Sequence, residues 1–97
     1  MKRIKIMTVC GFGIGSSLIL KMNLDDVLAK NNIDVEVFAS DVTSVSDNMA
    51  DVIFTSSEMA EQIKEKVKCE VIEIKNFMDK KEIEEKGIER VRELINA

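Results

Sequence analysis

Thr8-Val9-Cys10-Gly11-Phe12-Gly13-Ile14-Gly15-Ser16-Ser17-Leu18 carries the densest information in this chain. An apolar strand, Ile4 to Val9, runs into it and meets a cysteine. Glycines stand at 11, 13 and 15, two serines follow, and an apolar-periodic segment continues. A strand–glycine loop–helix turn of this kind points successive backbone N–H groups into one small concavity. With the positive end of the helix dipole behind them, those donors make an anion site. Glycines supply the backbone angles, some with positive φ, that let the amides converge. A cysteine at the mouth of the loop has its sulfur beside the anion, where the same field favours the nucleophilic thiolate. The expectation is a phosphate-sized anion site with a reactive thiol at its edge.

Outward from that stretch, residues 3–9 read as a strand and 17–30 as a helix. Leu18, Met22, Leu24, Val27 and Leu28 recur at helical spacing. Ser16 or Ser17 is the expected N-cap, Asp26 and Lys30 form an i,i+4 pair, and Asn31-Asn32 closes the helix. Alternation of Ile33, Val35 and Val37 predicts a second strand over 33–39. Residues 40–48 are polar and turn-rich, with room for a short helical turn. A third, short strand covers 51–54, and Thr55-Ser56-Ser57 caps a helix running to about Lys66. Met59, Ile63 and Val67 share one face of that helix. Residues 69–74 read as a fourth strand and 79–95 as a charged last helix, with Ile83, Val91, Leu94 and Ile95 inward. Glu82 and Lys86 pair at i,i+4. Gly87 inside this helix costs roughly 1 kcal/mol relative to alanine, so it marks either a weak point or a close packing contact.

The order βαβ(α)βαβα predicts an α/β fold, a four-stranded parallel sheet flanked by helices, as one domain over 1–97. In such sheets the ligand lies beyond the carboxyl ends of the strands. That edge collects Cys10 to Ser16, Ser40, Asp41, Thr55, Ser56 and Asn76. Cys69 begins its strand and belongs to the opposite edge, which separates the two cysteines.

Composition narrows the function. The formal net charge of -4 argues against nucleic acid, which needs a basic face. No run has transmembrane length, and the opening residues alternate too much for a signal peptide, so a cytoplasmic place is expected. The chain has no histidine, which removes the commonest general base, the usual nitrogen carrier of phosphate and a main zinc ligand. Two cysteines do not make a metal cluster, so neither metal nor cofactor is expected.

The loop fits other glycine signatures poorly. The dinucleotide fingerprint needs G-x-G-x-x-G, and serines 16 and 17 follow Gly15 instead. The nucleotide P-loop ends Gly-Lys-Ser/Thr, and no lysine comes between the loop and Lys21. Cysteine is often a small buried hydrophobe, but Cys10 opens the loop, which argues for chemistry. Cys69 and the methionines read as structural. Thiol phosphatases of the low-molecular-weight type carry Cys-x5-Arg-Ser/Thr. Counted from Cys10, the arginine position holds Ser16, and Ser17 follows. The bidentate phosphate clamp is therefore missing, and Asp41 is the one candidate for a leaving-group acid. A phosphocysteine here should persist, which suits relaying a phosphoryl group better than discarding it.

Cys10 to Ser17, placed after an N-terminal strand, resembles the IIB components of the bacterial sugar phosphotransferase system, the ascorbate-type branch most of all. The resemblance covers the whole chain in length and element order. It implies a Rossmann-like or flavodoxin-like domain with a phosphatase-type loop after the first strand. It also implies a relay. A cytoplasmic IIA component would carry phosphate on histidine, Cys10 would accept it, and the acceptor would be a sugar, by branch L-ascorbate, held by the membrane IIC component. The amides of Gly11, Phe12, Gly13, Ile14, Gly15, Ser16 and Ser17 would hold the phosphoryl group, with the two serine hydroxyls assisting. Phe12 and Ile14 are candidates for docking the IIA partner. The protein would then be cytoplasmic and peripherally bound to the membrane through IIC. A thiol phosphatase and a regulatory IIB-like phosphate-binding module are the competing expectations.

Overall fold

The computed structural model describes residues 3–11 and 14–96, and of Ile14 the backbone alone. Phe12 and Gly13, two of the expected phosphate-binding residues, lie outside the described residues. The strands are β1 (Lys5–Cys10), β2 (Glu36–Asp41), β3 (Val52–Ser56) and β4 (Glu70–Ile74). They form one sheet in the order β2-β1-β3-β4, and every pairing is parallel. The α/β reading of the sequence therefore stands. The helices are α1 (Ile14–Lys30), α2 (Ser57–Lys66) and a last helix α3 over 80–95. In α3, α-helical Lys80–Ile83 and Glu89–Ile95 flank a π-helical stretch, Glu84–Ile88. The short helical turn expected after β2 is a 3-10 helix, Val42–Ser44.

Period-2 alternation divides the sheet between two cores. Ile4 and Ile6 at the start of the sheet, Val52 and Phe54 of β3 and Ile72 and Ile74 of β4 face α1 and α3. Met7 and Val9 of β1 and Ile53 of β3 face the other way, against Ile63 of α2, Val67, Val42 and Val45. Thus β1 leads into a helix on one face, and its neighbour β3 leads into a helix on the other. Diverging connections from adjacent parallel strands leave a crevice at their carboxyl ends. Cys10 and Ser56 end those two strands.

Helix α1 departs from its sequence reading in three ways. It starts at Ile14, so Ser16 and Ser17 lie in its first turn rather than at the N-cap. Its buried stripe is Ser17, Leu20, Leu24, Val27 and Leu28, whereas Leu18 and Met22 are 43% and 65% exposed. Asp26 and Lys30 do not pair with each other. Asp26 meets Lys80 at 2.9 Å and Lys30 meets Glu84 at 3.6 Å, both on α3. Each charge is taken up by a partner on α3 instead of by its neighbour along α1, and surface pairs of either kind are weak. The expected stop holds: Asn32 takes φ 57°, and the Ile33 amide donates back to the Leu28 carbonyl.

The second strand starts at Glu36, later than expected, because pairing with β1 begins at Lys5↔Glu36. Ile33 and Val35 pack on the core from the connection before it. Gly87 is a close contact: a Cβ there would lie 2.5 Å from the Phe54 ring. Among the described residues no helix is long and apolar enough to cross a membrane.

Candidate active site

At the carboxyl edge of β1 and β3 lies a cleft of about 240 Å³. Cys10 and Gly11 come to it from β1, Ser16 from the first turn of α1, and Ser56, Glu58 and Met59 from the start of α2. Lys75, Asn76 and Phe77 come from the connection after β4. Cys10 is 6% exposed and forms no disulfide; Cys69 is also free. The sulfur is held in the floor rather than offered on the surface. Cys69, next to the start of β4, belongs to the far edge of the sheet, as its place in the sequence predicts. Burial, with Asp47, pushes its thiol pKa up.

The strand before the loop and the helix after it are tied together from below. Thr8, fully buried, donates its hydroxyl to the Ser17 carbonyl at 2.8 Å. That bond joins the strand leading to Cys10 to the first turn of α1. Thr55, also buried, donates to the Val9 carbonyl at 3.0 Å, immediately before Cys10. Each hydroxyl supplies a donor that an apolar residue of similar shape would lack. First-turn N–H groups of a helix have no partner within that helix. In α1 that turn includes Gly15 and Ser16, so its positive end abuts the cleft.

Of the residues singled out in the sequence, the cleft unites Cys10, Gly11, Ser16, Ser56 and Asn76. Ser17 is buried beneath it. Gly15 is exposed in α1, with open space where a side chain would go and no positive φ. The need for unusual backbone angles therefore does not apply at Gly15. At Gly11 a methyl group would meet the Met59 sulfur at 2.7 Å, so the missing side chain lets Met59 close over the loop.

Asp41 pairs with Cys10 in strand register but does not line the cleft. Its Oδ1 accepts from the Thr43 hydroxyl at 2.7 Å and the Ser44 amide at 2.9 Å. Those bonds hold its carboxyl below the usual carboxylate range, which suits an anionic cap of the 3-10 helix and not a proton donor. Ser40 and Thr55 also stand outside the lining. Sequence reasoning passed over Lys75 and Glu58. The signal for Lys75 was its place just past the carboxyl end of β4; Glu58 read as an ordinary first-turn acid of α2.

A parallel α/β sheet with a cysteine at the switch point, and no arginine clamp among the described cleft residues, defines a thiol domain suited to carrying a group. The chain belongs to the IIB family of the phosphotransferase system: residues 5–88 match the PTS system lactose/cellobiose-specific IIB subunit. Over 92 residues it is 32% identical to the ascorbate-specific PTS system EIIB components of Salmonella typhimurium (strain LT2) and Escherichia coli O157:H7. Those matches cover 93% of this chain and 91% of each relative. The corresponding component of Shigella flexneri is 31% identical over 91 residues, covering 92% and 90%. The protein is thus a phosphotransferase, a phosphoryl-relay component of sugar uptake.

Proposed function

We propose that Cys10 is the residue that carries the phosphoryl group. The observation behind this reading is a nearly buried thiol at the end of β1, beside the first turn of α1. In the first step the Cys10 thiolate attacks the phosphorus of a phosphohistidine on a IIA protein. An S–P bond forms, the N–P bond breaks, and the imidazole keeps the electron pair. In the second step a sugar hydroxyl attacks the same phosphorus. An O–P bond forms, the S–P bond breaks, the thiolate leaves with its pair, and the hydroxyl proton passes to a base on the sugar-holding IIC component. Such transfers need positioning and charge stabilisation more than covalent help. The amides of Gly11 to Ser17 and the Ser16 hydroxyl supply them in this reading. The histidine-free chain leaves the donor histidine to the partner.

The names of the curated relatives favour L-ascorbate as the sugar. The exposed Leu18, Ile19 and Met22, on the helix that leads from the cleft, favour an apolar docking face for IIA. The domain would work in the cytoplasm and reach the membrane only through IIC. Incubation with the general phosphotransferase proteins, a phosphohistidine IIA and phosphoenolpyruvate tests the central step. Intact mass should rise by one phosphoryl group mapped to Cys10, and Cys10→Ser should gain none. Normal transfer by that variant would sink the assignment. Turnover of a chromogenic phosphate ester without an adduct would favour a thiol phosphatase instead.

A further inference from the structure

The phosphoryl group brings about two negative charges into a site whose loop carries no cation. From the cleft we infer that Lys75 supplies that charge, as an anion-binding residue contributed by the connection after β4. The inference rests on the reading of Cys10 as the phosphoryl carrier. Lys75 lines the same cleft as Cys10, Gly11 and Ser16, and it is the one basic residue among the described lining. Its side chain makes no ion pair among the described residues, so its charge is not committed elsewhere. By contrast, Lys80 pairs with Asp26, Lys86 with Glu82 and Lys64 with Glu73.

The backbone beneath Lys75 is fixed, which a binding residue requires. Its amide donates to one oxygen of Glu82 at 2.7 Å, and the Asn76 amide donates to the other at 2.9 Å. Asn23 of α1 adds a bond to the Phe77 carbonyl at 2.7 Å. A long, exposed side chain is thus mounted on a braced hairpin of chain. Its neighbours have donors to spare. Ser56 Oγ accepts from the Met59 amide at 3.3 Å, which leaves the Ser56 hydroxyl proton for another acceptor. Asn76 accepts from the Met78 amide at 3.0 Å through its carbonyl, which leaves its NH2 group. Glu58 adds a negative charge to the wall, which raises the need for a cation beside the anion.

An ammonium is a point charge without the fork of an arginine. It can hold a phosphoryl group without locking it in a bidentate grip, which fits a group that must leave again. Because Glu82 holds Lys75 and Asn76 by their backbone amides, replacing the Lys75 side chain leaves the clamp in place.

The test is alkylation of Cys10 by iodoacetamide, followed by peptide mass so that Cys69 is scored separately. Inorganic phosphate is the protecting anion, against chloride at equal ionic strength. Phosphate should slow alkylation of Cys10 in the native protein. Lys75→Gln should need about tenfold more phosphate for equal protection, the loss of one charge-assisted contact, and Lys75→Arg should stay close to native. Equal protection in Lys75→Gln overturns the Lys75 assignment and leaves the anion site intact. Equal loss in the glutamine and arginine variants also overturns it, since the charge would not be what matters. No protection in the native protein removes the anion site itself, and the inference with it.

Discussion

Thr8 has no exposure to water, so its hydroxyl either bonds within the protein or costs free energy. Its 2.8 Å bond to the Ser17 carbonyl links the strand that carries Cys10 to the first turn of the helix beside the cleft. Thr8→Val keeps the shape and β propensity but deletes the donor. We expect a stability loss of about 1 kcal/mol, read as a lower urea midpoint at unchanged m. Phosphate protection of Cys10 should fall more than that loss explains, because the turn is no longer held at its height above β1. Unchanged protection would reduce Thr8 to a packing residue. The same bond explains the misplaced start of α1. Serine is favoured at an N-cap and tolerated in a first turn, and local sequence does not choose between them. A hydroxyl nine residues away, on a strand, adds a tertiary bond to that turn, which local sequence does not reveal. The place of Cys10 at the cleft was legible, since a cysteine opening a glycine loop is an unusual juxtaposition.

Among the elements, the second strand was readable from alternation, the first from its apolar run, and α2 from the Thr55-Ser56-Ser57 cap, where the Ser56 side chain accepts from the Met59 amide. Helix α1 was not readable in its facing. Leu18, Ile19 and Met22 are as apolar as Leu20, Leu24 and Leu28, so periodicity alone left the buried side open. The connection after β4 was the least legible part of the site, because what makes it rigid is Glu82, from the next helix. Burial alone would raise the Glu82 carboxyl. Hydrogen bonds from Lys86 and from the Lys75 and Asn76 amides, with the Lys86 charge, instead lower it from 4.5 to about 2. A carboxyl with a depressed native pKa is more easily protonated when unfolded. Its contribution is therefore full above the unfolded value and lost as pH falls through the native one. Between about pH 4.5 and 2 the connection should loosen and stability should drop. Glu82→Gln should flatten that part of the acid limb in urea titrations and, at neutral pH, weaken phosphate protection of Cys10 as Lys75 loses its mounting. An acid limb as steep in the variant as in the native protein would contradict this. Asp41 and Glu84, also lowered, act in the same direction, so the difference between the two curves is the quantity to read.

At the scale of the molecule, the sheet serves two cores, and the one under α1 and α3 is the larger. Its centre is Phe54, fully buried on β3, and the last helix reaches it through Gly87. The sequence left Gly87 as either a weakness or a contact, and only the three-dimensional approach decides. A Cβ would sit 2.5 Å from two ring atoms of Phe54, and that ring is fully buried in the larger core. The gain in helix propensity from Gly87→Ala, about 1 kcal/mol, is set against an overpacking cost that typically reaches 1–3 kcal/mol. Here neither partner can turn away, and the π-helical stretch Glu84–Ile88 is already the place where α3 bends its hydrogen bonding around the contact. We expect net destabilisation of about 1–2 kcal/mol, measured by urea unfolding. Gly87 lines no part of the cleft, and Cys10 is reached through β1, α1 and β3. In conditions where the variant is folded, alkylation of Cys10 and its protection by phosphate should match the native protein. A stability gain would mean that the ring yields. A loss of protection in the folded variant would mean that the packing of α3 on Phe54 sets the geometry of the thiol site, through the connection that carries Lys75.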